Sequence, residues 1–398
     1  MRRHAPTVRY AWLQGGFWMS FCIVFNYAGV FLLSKGYSNS EIGIIIAVAG
    51  LVSVFLQPLV AGLSDKHRNL TLRRLILILS VIMLFAGALL MIPKLHILWN
   101  ALFYSVLLSV LQVLTPLVNA VGMECINRGI SVNFGFARGI GSVSYALISF
   151  LAGEMIERFS TTVIPFLVIF CYLLVFAAAY TFYFSDSSEK QPVQNNEELE
   201  KDTVTDKKNS FFTSYRRFFI LLIGISFLFI CHNMLNNYLF QIMTYHNGGS
   251  REMGIAAAIS AVLELPTMIA FSFMVRKVSS GVLLKISGLF FTLKAFFTFT
   301  AAGIIGIYMA QAAQMFGFAL FVPASVYYTN SLIRPSDRAK GQAFMTATNT
   351  VGSVLGSLLG GFLIDSGDIP AMLLAATVIA AVGTVLVFIC TEKFPENQ

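Results

Sequence analysis

The chain has 398 residues, of which 57% are hydrophobic and only 12% charged, and its formal net charge is +8. Soluble domains carry roughly 25% charged residues, so a water-exposed surface is short of charge here, and the mean hydropathy of +0.76 points to hydrocarbon as the surrounding solvent. The positive balance does not indicate nucleic acid, because Lys and Arg form no stripe or patch but sit between apolar runs.

A spanning helix takes roughly 20 mostly apolar residues. Such segments are expected at 11–33, 41–63, 74–92, 97–123, 134–156 and 161–184, then at 217–244, 252–275, 281–303, 305–332, 340–364 and 369–390. Lipid forces helix because it cannot satisfy open backbone groups, and the runs lack the dyad alternation of a barrel. Arg2 and Arg3 precede a first run of spanning length with no small-residue cleavage site, which reads as a retained helix, not a signal peptide. With the N-terminus inside, Arg2, Arg3, Lys66, Arg68, Arg73, Arg74, Arg276, Lys277, Arg334 and Arg338 all face the cytoplasm. Only Lys35, Lys94, Arg158 and Arg251 face out. The positive-inside rule therefore predicts a multi-pass cell-membrane protein with both termini cytoplasmic. Cys22, Cys125, Cys171, Cys231 and Cys390 are dispersed and imply neither a disulfide framework nor a metal site.

Residues 185–216 are the one long hydrophilic stretch and read as a cytoplasmic linker. They divide the chain into an N-terminal six-helix bundle (1–184) and a C-terminal one (217–398). The two bundles repeat each other at a constant offset of 211: Asn26-Tyr27 answers Asn237-Tyr238, Glu41 and Gly43 answer Glu252 and Gly254, and Lys66 answers Lys277. Further along, Asn119 answers Asn330, Gly141-Ser142-Val143 answers Gly352-Ser353-Val354, and Glu154 answers Asp365. Matches that are mostly polar or glycine are informative in so apolar a chain. They predict a parallel pseudo-repeat with a solute site between the halves near the midplane.

Ionisable groups inside membranes are costly and functional by default. Glu264 and Lys294 lie equidistant from Ser279 in the turn between segments 8 and 9, so antiparallel packing places them at one depth. Either Glu264 titrates with Lys294 tuning it, or the two form a permanent structural pair. Glu124 and Arg138 flank Ser131 in the same way nearer the cytoplasmic end. Arg138 offers a planar fork for two oxygens of a hydroxylated or carboxylated solute, or else the pair closes a gate. The repeat partner of Arg138 is Asn349. Neutral polar residues gather on segments 1, 4, 7 and 10: Asn26 and Tyr27; Gln112 and Asn119; His232, Asn236, Asn237, Tyr238 and Gln241; Gln311, Gln314, Tyr327 and Asn330. Together they suggest a hydrophilic cavity, although each alone can simply join helices. Within the spans His232 stands alone as a histidine and reads as hydrogen-bonded and neutral. Gly352, Gly356 and Gly360 suggest close helix packing.

Gly62-Leu63-Ser64-Asp65-Lys66 resembles the G-x-x-x-D-[RK] signature of the major facilitator superfamily. Ser40-Glu41-Ile42-Gly43, Gln57-Pro58, Asn133-Phe134, Arg138, Gly141 and Tyr145-Ala146-Leu147 are similar to segments 2 and 5 of its lactose-permease-like branch. That branch also includes carriers of nucleosides and aromatic acids. The resemblance implies an all-α fold of two six-helix bundles, Arg138 as substrate-coordinating arginine and Tyr145 as the aromatic under a sugar ring. It further implies Glu264 as the coupling acid, Lys294 in place of an arginine, and Asp65 as a cytoplasmic latch. It departs at Gln314 and Gly317, where the family has histidine and glutamate, and at Met234 and Asn237, where it has acids.

No phosphate-cradling loop, nucleophile–base pair or metal cluster stands out, so neither an enzyme nor a cofactor is expected. The expected function is secondary transport, most simply proton-coupled uptake of a small polar solute such as a sugar or oligosaccharide by a monomer in lipid. Arg138, Tyr145, Asn26, Asn119, Asn237, Tyr238, Gln314 and Asn330 would bind it, Glu264 and Lys294 would couple the proton, and Asp65 and Glu124 would gate. The alternative is an exporter or facilitator of amphipathic or aromatic molecules or nucleosides.

Overall fold

The computed structural model describes residues 5–66, 70–182 and 211–392. Eleven described helices are long and apolar enough to cross a membrane, and a bent pair at the start makes up to twelve. In chain order the N-terminal half contains α1 (Ala5–Phe21, continuing through Cys22–Asn26 and Ala28–Ser34), α2 (Asn39–Lys66), α3 (Leu72–Leu89), α4 (Ile97–Asn127), α5 (Phe134–Phe159) and α6 (Val163–Thr181). The C-terminal half contains α7 (Arg216–Asn237, continuing through Leu239–Tyr245), α8 (Ser250–Lys277), α9 (Ser280–Phe299), α10 (Ile304–Gln311 and Phe318–Leu332), α11 (Arg338–Ser366) and α12 (Ile369–Cys390). The end of the linker is helical, because Phe211–Ser214 forms a turn that leads into α7. The rest of it lies outside the described residues.

The outer faces carry exposed apolar side chains such as Phe55, Phe85, Ile269, Ile305 and Ile389, as expected where lipid replaces water. Fully buried Tyr10, Tyr27, Tyr104, Tyr172, Tyr238 and Tyr328 fill the space between helices. Their hydroxyls make such burial costly unless bonded; Tyr104 Oη, for example, donates to the Val24 carbonyl at 3.0 Å.

Three helices are broken, which the hydropathy pattern does not reveal. α1 turns π-helical over Cys22–Asn26 and bends by 43° before Ala28. α7 breaks 211 residues later, at Tyr238. In both, an Asn-Tyr step stands at the break, and a side-chain amide beside the backbone offers its groups alternatives to the helix ladder. α10 passes through a 3-10 turn, Ala312–Met315, and Gly317 before resuming. The carbonyl of Gly317, where the helix resumes, accepts from the Phe321 N–H at 3.0 Å and also from Ser287 Oγ at 2.9 Å. Irregular backbone at membrane depth is tolerated where protein surrounds it or a cavity is lined.

The halves meet through α2 against α11 and α5 against α8. The contacts lie on the face away from the termini, called here the far face. A Cβ on Gly43 would collide with the Ser357 carbonyl, and one on Gly254 with the Ser149 carbonyl. Only glycine permits such an approach of backbones. Tyr27 Oη donates to Ser149 O at 2.6 Å, and Tyr238 Oη donates to Ser357 O at 2.5 Å. Toward the terminal face a Cβ at Gly62 of α2 or Gly139 of α5 would meet nothing within 4 Å.

Candidate functional site

In the N-terminal half a polar chain runs across α1, α4 and α5. Gln14 Nε2 donates to Tyr10 Oη at 2.7 Å and to Asn119 Oδ1 at 3.2 Å, while Gln14 Oε1 accepts from Trp18 Nε1 at 3.0 Å. The Arg138 guanidinium lies 3.9 Å from the centre of the Trp18 ring and donates from Nη1 to Ser142 Oγ at 3.1 Å. Gly141 makes this stack possible, since a Cβ there would sit 2.5 Å from Trp18 Cδ1. A cation over an indole face is held electrostatically without being neutralised.

A second chain occupies the C-terminal half. His232 Nε2 and Asn236 Nδ2 are 2.9 Å apart, and Asn236 Oδ1 accepts from Lys294 Nζ at 3.4 Å. Lys294 Nζ also donates to Gln314 Oε1 at 2.8 Å, and Gln314 Nε2 donates to Glu264 Oε1 at 3.0 Å. Five side chains from four helices thus form one line, and the break in α10 is what brings Gln314 into it. His232 stacks on Phe318 at 4.9 Å and 8°. Ser260 Oγ donates to Gln311 Oε1 at 2.7 Å, tying α8 to α10 nearby. Lys294 is only 3% exposed.

The direct Glu264–Lys294 contact expected from their spacing is replaced by this bridge: Gln314 stands between them, its carbonyl on the amine and its amide on the carboxylate. Glu264 remains within electrostatic reach of Lys294 and, across the interface, of Arg138 and Tyr145. The expected Glu124–Arg138 pair does not form. Glu124 takes Arg128, one helical turn away in sequence, and Arg138 turns toward Trp18. The helical i,i+4 spacing of Glu124 and Arg128 makes that the shorter path.

The other expected site residues divide. Asn26 and Tyr145 are half-buried, and the Asn26 amide nitrogen is buried without a protein partner. Asn237 donates to Ser357 Oγ at 2.8 Å, and Tyr238 is fully buried in the far-face contact, so both hold helices together. Asn330 is exposed at the terminal end of α10, where its side chain accepts from Gln342 at 3.0 Å. The Asp65 side chain lies outside the described residues. Gln14, Trp18 and Asn236 join the two chains without having been singled out as ligands. Trp18 looks like lipid-facing apolar sequence until Arg138 is placed beside it.

The far-face closure carries its own polar groups. Asp365 accepts from the backbone N–H of Ser40 at 2.7 Å and of Asn39 at 3.2 Å, and from Asn39 Nδ2 at 2.8 Å. Its repeat partner Glu154 pairs with Arg251 Nε at 3.2 Å, and Arg251 is the repeat partner of Ser40. Both halves therefore place a carboxylate from α5 or α11 over the start of α8 or α2 in the other half.

Comparison with known proteins agrees with this fold. The chain is 24% identical over 364 residues to an uncharacterized transporter, YwbF, of Bacillus subtilis (strain 168), covering 89% of this chain and 86% of that one. It is 23% identical over 383 residues to a maltose permease of Geobacillus stearothermophilus, covering 94% and 93%. Among solved structures it resembles the nucleoside transporter NupG, with a TM-score of 0.75 at 15% identity over 97% of this chain and 98% of that one. It also resembles a POT family transporter bound to a thioalcohol-conjugated peptide, with a TM-score of 0.70 at 13% identity over 96% and 95%. Residues 16–374 match the MFS_1 like family, so the chain belongs to that family and is a membrane transporter of the major facilitator type, not an enzyme.

Proposed function

We propose that this transporter takes up a small polar solute, a sugar or oligosaccharide, by proton-coupled symport. It would sit in the cell membrane with both termini in the cytoplasm, the orientation favoured by the distribution of Lys and Arg. In that orientation the far face is extracellular and shut, and the solute path opens to the cytoplasm. Rocking of the halves about the site exposes it alternately.

The observation that carries this reading is the meeting of two polar chains, one from each half, with Glu264 within reach of Arg138 on one side and Lys294 on the other. Arg138 and Tyr145 hold the solute from the N-terminal half, with Asn26 and Asn119 beside them. Glu264 carries the proton, and Gln314, bonded to both Glu264 and Lys294, links its state to Lys294. Ionised, Glu264 accepts from Gln314; protonated, it can donate instead.

The test is Glu264→Gln in reconstituted liposomes. Uphill accumulation driven by a pH gradient should be lost while exchange of solute down its own gradient continues. Accumulation at the unaltered level would reject Glu264 as the proton carrier. A second reading, an exporter or facilitator of amphipathic molecules, draws on the aromatic surfaces of Trp18, Tyr145 and Phe318 beside the site. Transport that ignores the pH gradient in both membrane orientations would favour it.

A further inference from the structure

We propose that the solute is an anion carrying a carboxylate, of the sugar-acid kind, with Arg138 as its docking fork and Lys294 as the charge that selects it. This rests on the transport reading above and narrows its solute. The argument begins with the interior charges: Arg138 from α5, Lys294 from α9 and Glu264 from α8. Two are positive and one is negative. Among the described residues no carboxylate lies within ion-pair distance of either cation. Glu124, Glu154 and Asp337 are engaged elsewhere, with Arg128, with Arg158 and Arg251, and with Lys340.

The way each cation is held sharpens the point. Arg138 is fixed by a π face and by one hydroxyl, which orient the guanidinium but leave its charge and most of its five N–H donors unused. Lys294 is fixed by two amide oxygens, Asn236 Oδ1 and Gln314 Oε1. These solvate an ammonium without cancelling it. Neutral partners for both cations make a pre-oriented site with an unpaired positive charge, and a planar carboxylate is the group that matches a guanidinium fork with two parallel bonds.

The coupling acid gives the arrangement its direction. The groups facing Glu264 are Arg138 and Tyr145 from α5, Lys294 from α9 and the neutral Gln314 from α10. With Glu264 ionised, the interior carries one net positive charge; with a proton on Glu264 it carries two. A monoanion entering with that proton returns the interior to its starting charge, whereas a neutral solute leaves the second positive charge buried when the cavity shuts. The anion and the proton are thus favoured together, and each makes room for the other. No bond of the solute changes; an O–H bond forms when hydronium on one side gives its proton to a Glu264 oxygen, and it breaks when that proton passes to water on the opposite side.

The full chain in liposomes is tested with gluconate, glucuronate and maltobionate, each beside neutral glucose or maltose, and with glucose 6-phosphate. At least one carboxylate should accumulate at least tenfold faster than its neutral counterpart. Lys294→Gln and Arg138→Gln should each reduce that preference at least tenfold, while Lys294→Arg, which keeps the charge, preserves it and controls for folding. Glu264→Gln should bind the carboxylate with little dependence on pH.

Accumulation of neutral sugars at the same rate or faster overturns the carboxylate assignment while the transport reading stands. Preference for glucose 6-phosphate overturns the carboxylate in favour of a phosphate ester. Movement of none of these solutes overturns the assignment and the uptake reading together. A carboxylate preference that survives Lys294→Gln removes Lys294 as its source.

Discussion

The two halves share a frame and differ in chemistry. At the far face the offset of 211 reaches individual hydrogen bonds. Glu41 Oε2 accepts from the backbone of Ser38 at 2.8 Å, and Glu252 Oε2 accepts from that of Gly249 at 2.7 Å. Trp18 against Gly141 is repeated as Phe229 against Gly352. At the centre the match ends. Arg138 has Asn349 as its partner, Glu264 has Ser53, Lys294 has Met83 and Gln314 has Phe103. Closure needs both halves to present the same surfaces in two orientations, so it is built from what the repeat preserves. Recognition needs one solute in one orientation, so it uses what the repeat has lost.

The largest effects should come from substitutions that disturb the shared frame. Gly43→Val and Gly254→Val each drive carbon into an opposing main-chain carbonyl that has no rotamer by which to retreat. Overpacking of this kind costs about 1–3 kcal/mol, here borne by the closed far face alone. Spin-label distances between α2 and α11, and between α5 and α8, should show that face opening in both variants to similar degrees, with uptake lost. A strong effect from one glycine and none from the other would break the equivalence of the two contacts.

The frame was legible in the sequence, and the centre was legible only in part. Composition and hydropathy locate the helices to within a few residues because a bilayer imposes one length and one solvent on all of them. The repeat marks Tyr27, Gly43, Tyr238 and Gly254 as positions both halves keep, but only packing shows them as contacts, and until then Tyr238 reads as a solute ligand. Glu264, Lys294 and Arg138 stand out because charge in lipid is rare. Their partners stand out less: Gln314 and Asn236 read as part of a polar lining and not as ligands of Lys294, and Trp18 is unremarkable until helices are packed. Equal distance from a turn correctly suggests a common depth for Glu264 and Lys294, but says nothing of the 3-10 turn in α10 that inserts an amide between them. The same arithmetic misleads for Glu124, because a cation one turn along its own helix was available.

A sharper comparison comes from the carboxylates at the far face. Asp365 collects three N–H donors at the start of α2, two of them from the main chain, where the helix dipole also favours negative charge. Glu154 faces Arg251, whose side chain is 54% exposed. Hydrogen bonds to a charged acceptor contribute about 1.5–3 kcal/mol against about 0.5–1.5 for neutral ones, but Asp365 is itself exposed and water screens part of the gain, so Asp365→Asn should weaken closure by about 1 kcal/mol. An exposed ion pair contributes about 0–1 kcal/mol, so Glu154→Gln should do less. High salt should erase the difference between Glu154→Gln and the unaltered chain while leaving the effect of Asp365→Asn in place. Equal effects with equal salt dependence would show that the two latches work alike after all.

Trp18 and Phe229 provide the finest distinction between frame and chemistry. Each lies against a glycine of the helix beside it, Trp18 with its ring on Gly141 and Phe229 with its Cβ and main chain on Gly352, so the repeat alone assigns them one role. Phe229, however, sits among uncharged rings, 5.0 Å from Phe321, 6.0 Å from Phe291 and 6.2 Å from His232, whereas Trp18 supports Arg138. Phe229→Leu should therefore lower thermal stability and leave solute affinity alone, since it removes core contacts remote from the fork. Trp18→Phe keeps an aromatic filler but weakens the cation–π hold, which is worth about 0.5–1 kcal/mol at accessible sites and more when desolvated. The expected loss is about three- to fivefold in solute affinity, with the melting temperature nearly unchanged. Paired binding isotherms and melting curves on the two variants separate these outcomes. If Trp18→Phe instead behaves as Phe229→Leu does, Arg138 is held by its helix and not by the ring beneath it.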